Sequence, residues 1–561
     1  MKLPYGITDF KELRDEDYFY IDKTMYIETL ENFDSKYLFF IRPRRFGKSL
    51  FLSTLEYYYD VSRRNEFESL FSDLYIGKKP TELKNDFFIL SFDFSGLNTG
   101  SKENLRDSFR KIIEADLIDF LNKYRSYFSK VDQIINEIKD ELDLRRMLRY
   151  IFSQVKMTEK KIYIIIDEYD HFANDILAVG DGEFYQDTIR ARGFVRDFYE
   201  TLKIGAKSVI DRIFITGISP IMLDDMTSGF NITDNLTMEE EFNEMLGFTS
   251  EEVSTIINKL NLDIDLKELA EYFNGYLFSV YGEERVYNPD MVLYFLNRYK
   301  KKNRPPEKLI SDNIKTDYGR LQRLMINKEN KDLLEKIILE EEIVADIVTR
   351  FSFDRMYDQD YFVSLLFYMG LLTIDTKYRS RLILKIPNYV IKTIYWEYLQ
   401  KKIIGQYRIN INLDELRRSI EKLAYEGKIE PYIEYISNNI LKHLSNRDLQ
   451  KFDEKYIKII FFINLISGQI YKVYSEREIE NGYIDLLLEK DSRFPDVHYE
   501  WLWELKYLKK KDKSCLDEIK KMGLEQLKKY AKSKQFVDKK SLKKALIIFI
   551  GKDEYEIIEL D

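Results

Sequence analysis

Two hydrophobic periods alternate along this chain, and where they switch they mark out its elements. Near the amino end the short apolar run KYLFFI (36–41) gives way, after a basic loop, to KSLFLSTLEYYYD (48–60), whose apolar residues recur at helical spacing. An uninterrupted apolar run of that length suits a strand buried on both faces of a parallel sheet. Three more runs of the same kind follow: FFILSFDFS, KIYIIIDEYD and RIFITGISP. Between the first and second of these, ENLRDSFRKIIEADLIDFLNKY and VDQIINEIKDELDLRRMLRYIF keep a 3.6-residue period and read as helices packed around the sheet, with their charges on a solvated face.

Further along the pattern changes twice. KKKNRPPEKLISDN (300–313) carries a Pro-Pro step in a charge run and marks a boundary. DYFVSLLFYMGLLTIDT and RLILKIPNYVIKTIYWEYL then predict a helix, a turn at Gly370, two short strands and another helix, an order that resembles a winged helix. The helical segment is apolar and tyrosine-rich rather than basic, which favours packing against a neighbouring domain over reading DNA. LDELRRSIEKLAYE is a clear amphipathic helix within a helical stretch from 400 to 467. From about 450 a helix (DEKYIKIIFFINLIS), three strands (QIYKVYSERE, GYIDLLLEK, YEWLWELKYL), a helix (LDEIKKMGLEQLKKYAKS) and a last strand (KKALIIFIG) follow in turn. The expected organisation is 1–300, 301–449 and 450–561.

Composition narrows the class. A chain of 561 residues is too long for one core, and 45 % hydrophobic with 33 % charged residues is a globular balance. A single cysteine, Cys515, leaves no internal disulfide and no cysteine-built zinc site, which suits a reducing compartment. The opening MKLPYGITDF is no signal peptide, and the longest apolar runs fall short of the roughly 20 residues that span a bilayer. The expectation is a cytoplasmic protein without membrane contact. A net charge of -9 argues against coating nucleic acid with the whole surface, but LKYLKKKDKSC and KKYAKSKQFVDKKSLKK make the carboxyl end locally basic, enough to follow a phosphate backbone.

The candidate chemistry sits at strand ends. IRPRRFGKSL ends in the Gly-Lys-Ser of a phosphate-binding loop in the strand–loop–helix context that loop needs. Gly47 lets the backbone approach phosphate, Lys48 reaches the β- and γ-phosphates, and Ser49 holds Mg²⁺. Asp167 and Glu168 end a buried strand, the first as a Mg²⁺ ligand and the second as general base. Thr216, with Ser219, ends the next strand as a γ-phosphate sensor. Arg42 replaces the first glycine of the usual loop pattern. Arg42 and Arg45 count among the nucleotide-binding positions, with solvated loop charge the rival for Arg45.

At the other end, GYIDLLL offers Asp485, and WELKY offers Glu504 and Lys506, two apart and so on one face of a strand. Two hard oxygen donors suit Mg²⁺, Lys506 steadies a developing phosphorane charge, and Glu454 on the preceding helix adds a carboxylate. Gln526 and Tyr530 lie four apart on the following helix. A cross-strand salt bridge on an exposed face is the plain alternative for the Glu-x-Lys pair.

LPYGITDFKELRDEDYFYIDKTMYIETL, RPRRFGKSL, IIIDEYD and FITGIS together resemble the predicted AAA-ATPase-like family, whose members often end in a PD-(D/E)XK nuclease domain. MLGFTSEEV, YFNGYLFS and VYNPDMVLYFL extend the resemblance to about residue 300, and the arginine at position 42 is a habit of that family. The carboxyl-terminal order of elements, with Gln526 and Tyr530 resembling a Q-x-x-x-Y element, is similar to the nuclease core. The resemblance implies an α/β chain: a P-loop domain, a helical and winged-helix-like middle, and a restriction-endonuclease-like end. It implies ATP and Mg²⁺ as cofactors, nucleic acid (DNA foremost) as partner, nucleotide-driven gating or homo-oligomer assembly, and cleavage of phosphodiesters. The alternative is a nucleotide-dependent switch that binds at both sites and catalyses at neither.

Overall fold

The computed structural model describes the chain apart from residues 180–183, 185–187, 189–192, 223–229, 320–327, 352–354, 356–357, 408–411, 444–453, 481, 553 and 561. It forms two compact units, one of Met1–Asn303 with Lys308–Ile391 and one of Arg304–Glu307 with Lys392–Asp561.

The first unit is built on a parallel sheet. β1 (Tyr37–Ile41) runs into α1 (Lys48–Tyr59), and β2 (Phe87–Asp93) is followed by α2 (Lys102–Lys123), α3 (Val131–Asp140) and α4 (Leu144–Lys156). β3 (Lys161–Asp167), β4 (Ile210–Gly217) and the short β5 (Asp234–Asn235) complete the order β2-β3-β4-β1-β5, with every neighbour pair parallel. Ile162, Tyr163, Ile164, Ile165 and Ile166 of β3 are all buried, as a central strand covered on both faces requires. The three helices between β2 and β3 bury an apolar stripe that includes Phe109, Ile113, Ile138 and Ile151. All four strands expected from the apolar runs are present.

After α5 (Pro289–Lys302), α6 (Lys328–Glu340) leads through β6 (Glu342–Ala345) to α7 (Gln359–Tyr368), and the chain turns at Gly370, φ +74°, into β7 (Thr373–Tyr378) and β8 (Arg381–Lys385). These three strands form an antiparallel sheet in the order β6-β8-β7, a winged-helix-like arrangement to which β6 adds a strand that its four residues gave no pattern to reveal. The element belongs to the first unit and packs on the loop after β1: a Cβ on Gly370 would come within 2.9 Å of Pro43.

In the second unit, α8 (Glu454–Gly468) precedes β9 (Tyr471–Ile479), β10 (Gly482–Lys490) and β11 (Glu500–Leu508). Next come α9 (Leu516–Ala531), β12 (Leu542–Ile550) and a further strand, β13 (Glu554–Leu560). The sheet order is β13-β12-β11-β10-β9, with β11 and β12 parallel and the other pairs antiparallel. α9 is the crossover that a parallel β11–β12 pair needs. It buries Leu527 and Tyr530 against Ile484, Leu502 and Leu546. No helix among the described residues is long and apolar enough to cross a membrane.

Candidate functional site

The loop between β1 and α1 enters the helix through Gly47 at φ +92°, a left-handed conformation that glycine adopts without cost, and a Cβ there would meet nothing within 4 Å. The first free N–H groups of α1 face the loop, a ready anion cradle. Lys48 is buried, and its Nζ donates to the carbonyls of Arg42 (3.0 Å) and Pro43 (3.1 Å), so its ammonium is held by neutral dipoles of its own loop. Ser49 Oγ donates to Asp167 Oδ2 at 2.6 Å. Thus the four residues Gly47, Lys48, Ser49 and Asp167, from two non-consecutive elements, meet at one place.

Beside them lies a cavity of about 480 Å³, walled by the loop itself, by Glu168, by residues 4–8 and 19–21 of the amino-terminal segment, and by Met245–Phe248 with Asp290. The amino-terminal GIT (6–8) and the later MLGF (245–248) form no catalytic motif, so only the resemblance pointed to them. In space they are the walls of the cavity.

The two acidic residues behave oppositely. Burial pushes Asp167 up to about 6, with the neighbouring Glu168 charge adding to it and the Ser49 hydrogen bond opposing it. Burial also pushes Glu168 upward, but His171 together with the charges of Lys48 and Arg44 outweighs it and holds Glu168 at about 2. His171 Nδ1 lies 3.6 Å from Glu168 and Nε2 lies 3.7 Å from Asp175, and the contact with Glu168 raises the imidazole above its ordinary value. Glu168 itself sits at φ +49°. The chain's three histidines, His171, His443 and His498, lie far apart in the sequence and form no cluster that would single His171 out. Its spacing of three from Glu168 was the available signal.

Two expected nucleotide contacts are corrected. The Arg42 side chain is wholly buried and turned away from phosphate. Nη1 donates to Ile41 O (2.9 Å) and Thr237 O (2.8 Å), and Nη2 donates to Phe242 O (2.7 Å). The guanidinium lies between the Phe40 and Phe278 rings, 4.2 and 4.0 Å from their centroids. Arg42 is therefore a strut that fixes the loop from behind, and burial lowers its pKa. Thr216 Oγ1 donates to Phe40 O at 2.7 Å, so its hydroxyl ties β4 to β1 inside the sheet. Ser219 is likewise engaged, by the buried Asp170. Arg45, at φ +64°, lines the cavity and reaches Asp290 at 3.4 Å.

In the second unit β10 and β11 pair with Leu486 opposite Trp503, the last paired position, and Asp485 and Glu504 are the adjoining residues of the two strands. Asp485 Oδ2 accepts the Leu505 N–H at 2.8 Å, which locks the carboxylate against the neighbouring strand. Glu504 and Lys506 share a face, with Nζ 2.7 Å from Oε1. Asp485 is 6 % and Glu504 1 % exposed, so this is no solvated strand face with an incidental salt bridge. Lys458, from α8, forms an ion pair with Asp485 Oδ1. Lys458 was not singled out from the sequence: the second of two lysines at the start of the apolar KYIKIIFFINLI looks like the edge of a buried face. Tyr530 packs into the hydrophobic core with its ring against Gly482 at the head of β10, and Gln526 is half-buried on α9. Glu454 begins α8, and its side chain lies outside the described residues. Among the described residues no group of three or more His, Cys, Asp or Glu side chains is placed to hold a metal, so the candidate centre rests on a pair of carboxylates.

Comparison with known proteins agrees with both halves. Residues 4–227 match the family model described as predicted AAA-ATPase, and residues 452–558 match that of the PD-(D/E)XK nuclease superfamily. A protein of Azotobacter chroococcum mcd 1 described as uncharacterized, in the vnfD 5' region, is 26 % identical over 307 residues, 53 % of this chain and 52 % of its own length. The alignment thus spans about half of that curated relative. Among solved structures, the Walker-type ATPase paby2304 of Pyrococcus abyssi covers 70 % of this chain and 98 % of itself, at 14 % identity and a TM-score of 0.38. The Aeropyrum pernix ORC2 protein, solved as ADPNP–ADP complexes, covers 69 % and 92 %, at 12 % identity and a TM-score of 0.21. A phosphate loop facing an Asp-Glu strand in one unit, and a buried Asp, Glu and Lys set on paired strands in the other, are the local chemistry of the two matched segments: this chain joins a predicted AAA-ATPase-like domain to a carboxyl-terminal PD-(D/E)XK nuclease domain.

Proposed function

We propose that the first unit binds ATP with Mg²⁺ and that the second cleaves phosphodiesters of nucleic acid, DNA foremost, with nucleotide state gating the cleavage or driving assembly of the chain into a homo-oligomer. The observation that carries the reading is the bond from Leu505 N–H to Asp485, which sets Asp485 beside Glu504 and Lys506 on adjacent strands.

In the first unit the triphosphate lies along the cradle at the start of α1. Lys48 exchanges two carbonyl acceptors for β- and γ-phosphate oxygens, a charge-assisted and therefore stronger pairing. Ser49 and Asp167, already in contact, are the side chains that would hold Mg²⁺, and Glu168 stands ionised to orient the attacking water. Arg44 and Arg45, both at the cavity wall, are the loop cations beside Lys48 that face the nucleotide's place.

In the second unit the donor set fits a hard divalent cation: two buried carboxylates, each balanced in this structure by a lysine. Such a cation, held by Asp485 and Glu504, supplies a water of lowered pKa and neutralises phosphate charge. Lys506 keeps its ammonium on the same strand face as Glu504, where it orients that water and meets the charge that develops on the phosphorus oxygens. Tyr530 holds the head of β10 in place.

The test is direct. Full-length protein is incubated with Mg²⁺ or Mn²⁺ and supercoiled, linear and single-stranded DNA, or RNA, with and without ATP. Cleavage that disappears in Glu504→Ala and loses its nucleotide dependence in Lys48→Ala is the expected result. Intact substrate under every condition favours the non-catalytic switch, and cleavage untouched by Glu504→Ala places the chemistry elsewhere.

A further inference from the structure

Each carboxylate of the pair in the second unit is met by a lysine. Asp485 and Glu504 carry two negative charges, and Lys458 and Lys506 return two positive ones. All four side chains are largely withdrawn from solvent, at 8 %, 2 %, 14 % and 18 % exposure respectively. A divalent cation brought to these carboxylates meets the two ammonium groups already on them in a poorly screened place, where like charges repel far more strongly than in water. A cation bound there must therefore displace one of the lysines.

Geometry selects which. Lys506 is two residues from Glu504 on the same strand, so its ammonium remains on that face whatever it bonds. Lys458 comes from a different element, α8, on a flexible four-carbon stem. Asp485 has one oxygen, Oδ2, engaged by the Leu505 N–H, and the other, Oδ1, is the one that Lys458 holds. The oxygen turned toward a cation is thus the oxygen under Lys458.

We propose that Lys458 is the resident counter-ion of this centre: it occupies Asp485 Oδ1 in the buried site and competes with the divalent cation for that oxygen. This rests on the reading of Asp485 and Glu504 as metal-holding residues. Lys458 is a positioning residue in this role, and a purely structural lysine would behave in the opposite way. Removing a structural support loosens Asp485 and weakens metal binding, whereas removing a competitor strengthens it.

The experiment is Mn²⁺ titration of the full-length protein by calorimetry or electron paramagnetic resonance. The second-unit site is the increment that Asp485→Asn removes. Lys458→Met, which keeps length and discards charge, is expected to tighten that increment about 10-fold or more, the scale on which groups around a metal ligand tune affinity. Lys458→Arg keeps the charge and grips a carboxylate with two N–H groups, so it is expected to weaken Mn²⁺ binding. Unchanged or weaker binding in Lys458→Met overturns the proposal while leaving the metal site standing, because Asp485→Asn still removes the increment. If Asp485→Asn removes nothing, the metal reading and this proposal fall together. Should Lys458→Met fail to fold by circular dichroism, the arginine variant decides: binding equal to or tighter than wild type overturns the proposal.

Discussion

The two units hold their lysines in opposite ways. Lys48 donates to two main-chain carbonyls, whereas Lys458 and Lys506 are each paired with a carboxylate. In the first unit backbone dipoles hold a positive charge ready for an anion. In the second, lysines hold negative charges ready for a cation. The contrast teaches that a lysine in a phosphate-handling site is read by what it touches before the ligand arrives. On carbonyls it is part of the ligand's binding energy, and on a carboxylate it is a placeholder.

The largest expected effects test that contrast directly. Lys48→Met should weaken binding of a fluorescent ATP analogue by about 10²-fold, since a charge-assisted contact to phosphate is lost. Lys506→Met should cut cleavage by about 10²–10³-fold through loss of stabilisation at the reacting phosphate. It should nevertheless leave Mn²⁺ binding intact or tighter, because Glu504 loses a competing charge. If Mn²⁺ binding falls in Lys506→Met as nucleotide binding falls in Lys48→Met, the two sites are not opposites and the contrast fails.

Next in size is the strut behind the phosphate loop. Arg42→Met removes three hydrogen bonds to buried carbonyls, at Ile41, Thr237 and Phe242. Leaving such acceptors without donors costs about 2–4 kcal/mol in sum. Urea unfolding should show that loss in the first transition to involve the amino-terminal unit, and Arg42→Lys should not restore it, because a point charge cannot serve three divergent acceptors. An Arg42→Met protein as stable as wild type would show that these three bonds do not brace the loop.

That residue also shows where sequence reading stops. The meeting of Gly47, Lys48, Ser49 and Asp167 was legible because each lies just past or at a strand end, where local pattern and candidate chemistry coincide. The set of Asp485, Glu504 and Lys506 was legible because strand periodicity alone puts 504 and 506 on one face. The strut was not, since Arg42 takes two of its three acceptors from residues 195 and 200 positions away, and burial of an arginine has no local signature. Lys458 was hidden for a related reason: its partner lies on a strand of the following sheet, and its own helix reads as apolar core. Thr216 failed in the other direction. A threonine at a strand end looks like a sensor, but the parallel register of β1 and β4 pairs it with Phe40, whose carbonyl takes the hydroxyl. β6 and β13 went unseen because one is four residues long and the other, EYEIIEL, closes the sheet as a half-exposed edge.

A smaller effect separates the neighbours Asp167 and Glu168. Asp167 is raised from an ordinary 3.8 to about 6, so between those values the folded protein binds more protons than the unfolded chain, and this residue's contribution to stability falls as pH rises through that window. Glu168, lowered from 4.5 to about 2, contributes stability that is present above 4.5 and lost as pH falls through its folded value. For ligand binding the sign is set by Asp167 alone: Mg²⁺ needs the carboxylate. The Mg²⁺-dependent part of nucleotide affinity should be flat above pH 6 and fall by about tenfold per pH unit below it. Asp167→Asn should abolish that step. A step that survives in Asp167→Asn belongs to another group, His171 being the first to examine.

The smallest effect compares the glycines that open each site. Gly47 and Gly482 both sit at positive φ, +92° and +136°, so alanine strains the backbone at either. Around Gly47 there is nothing for a new Cβ to meet within 4 Å, whereas at Gly482 it would stand 3.1 Å from the Tyr530 ring. In the first unit that space is what the phosphates need, and in the second it is filled by the aromatic ring that props β10. Gly47→Ala should therefore lower stability by only about 1 kcal/mol, all of it backbone strain, while disproportionately weakening nucleotide binding. Gly482→Ala should lower it by about 1–2 kcal/mol, because Tyr530 must shift as well, and should leave nucleotide binding unchanged. Combining Gly482→Ala with Tyr530→Leu separates the two costs, since the smaller side chain removes the clash and leaves the strain. Equal losses in Gly482→Ala with and without Tyr530→Leu would show that the tyrosine does not bear on the head of β10, and its place in the site would then rest on the core alone.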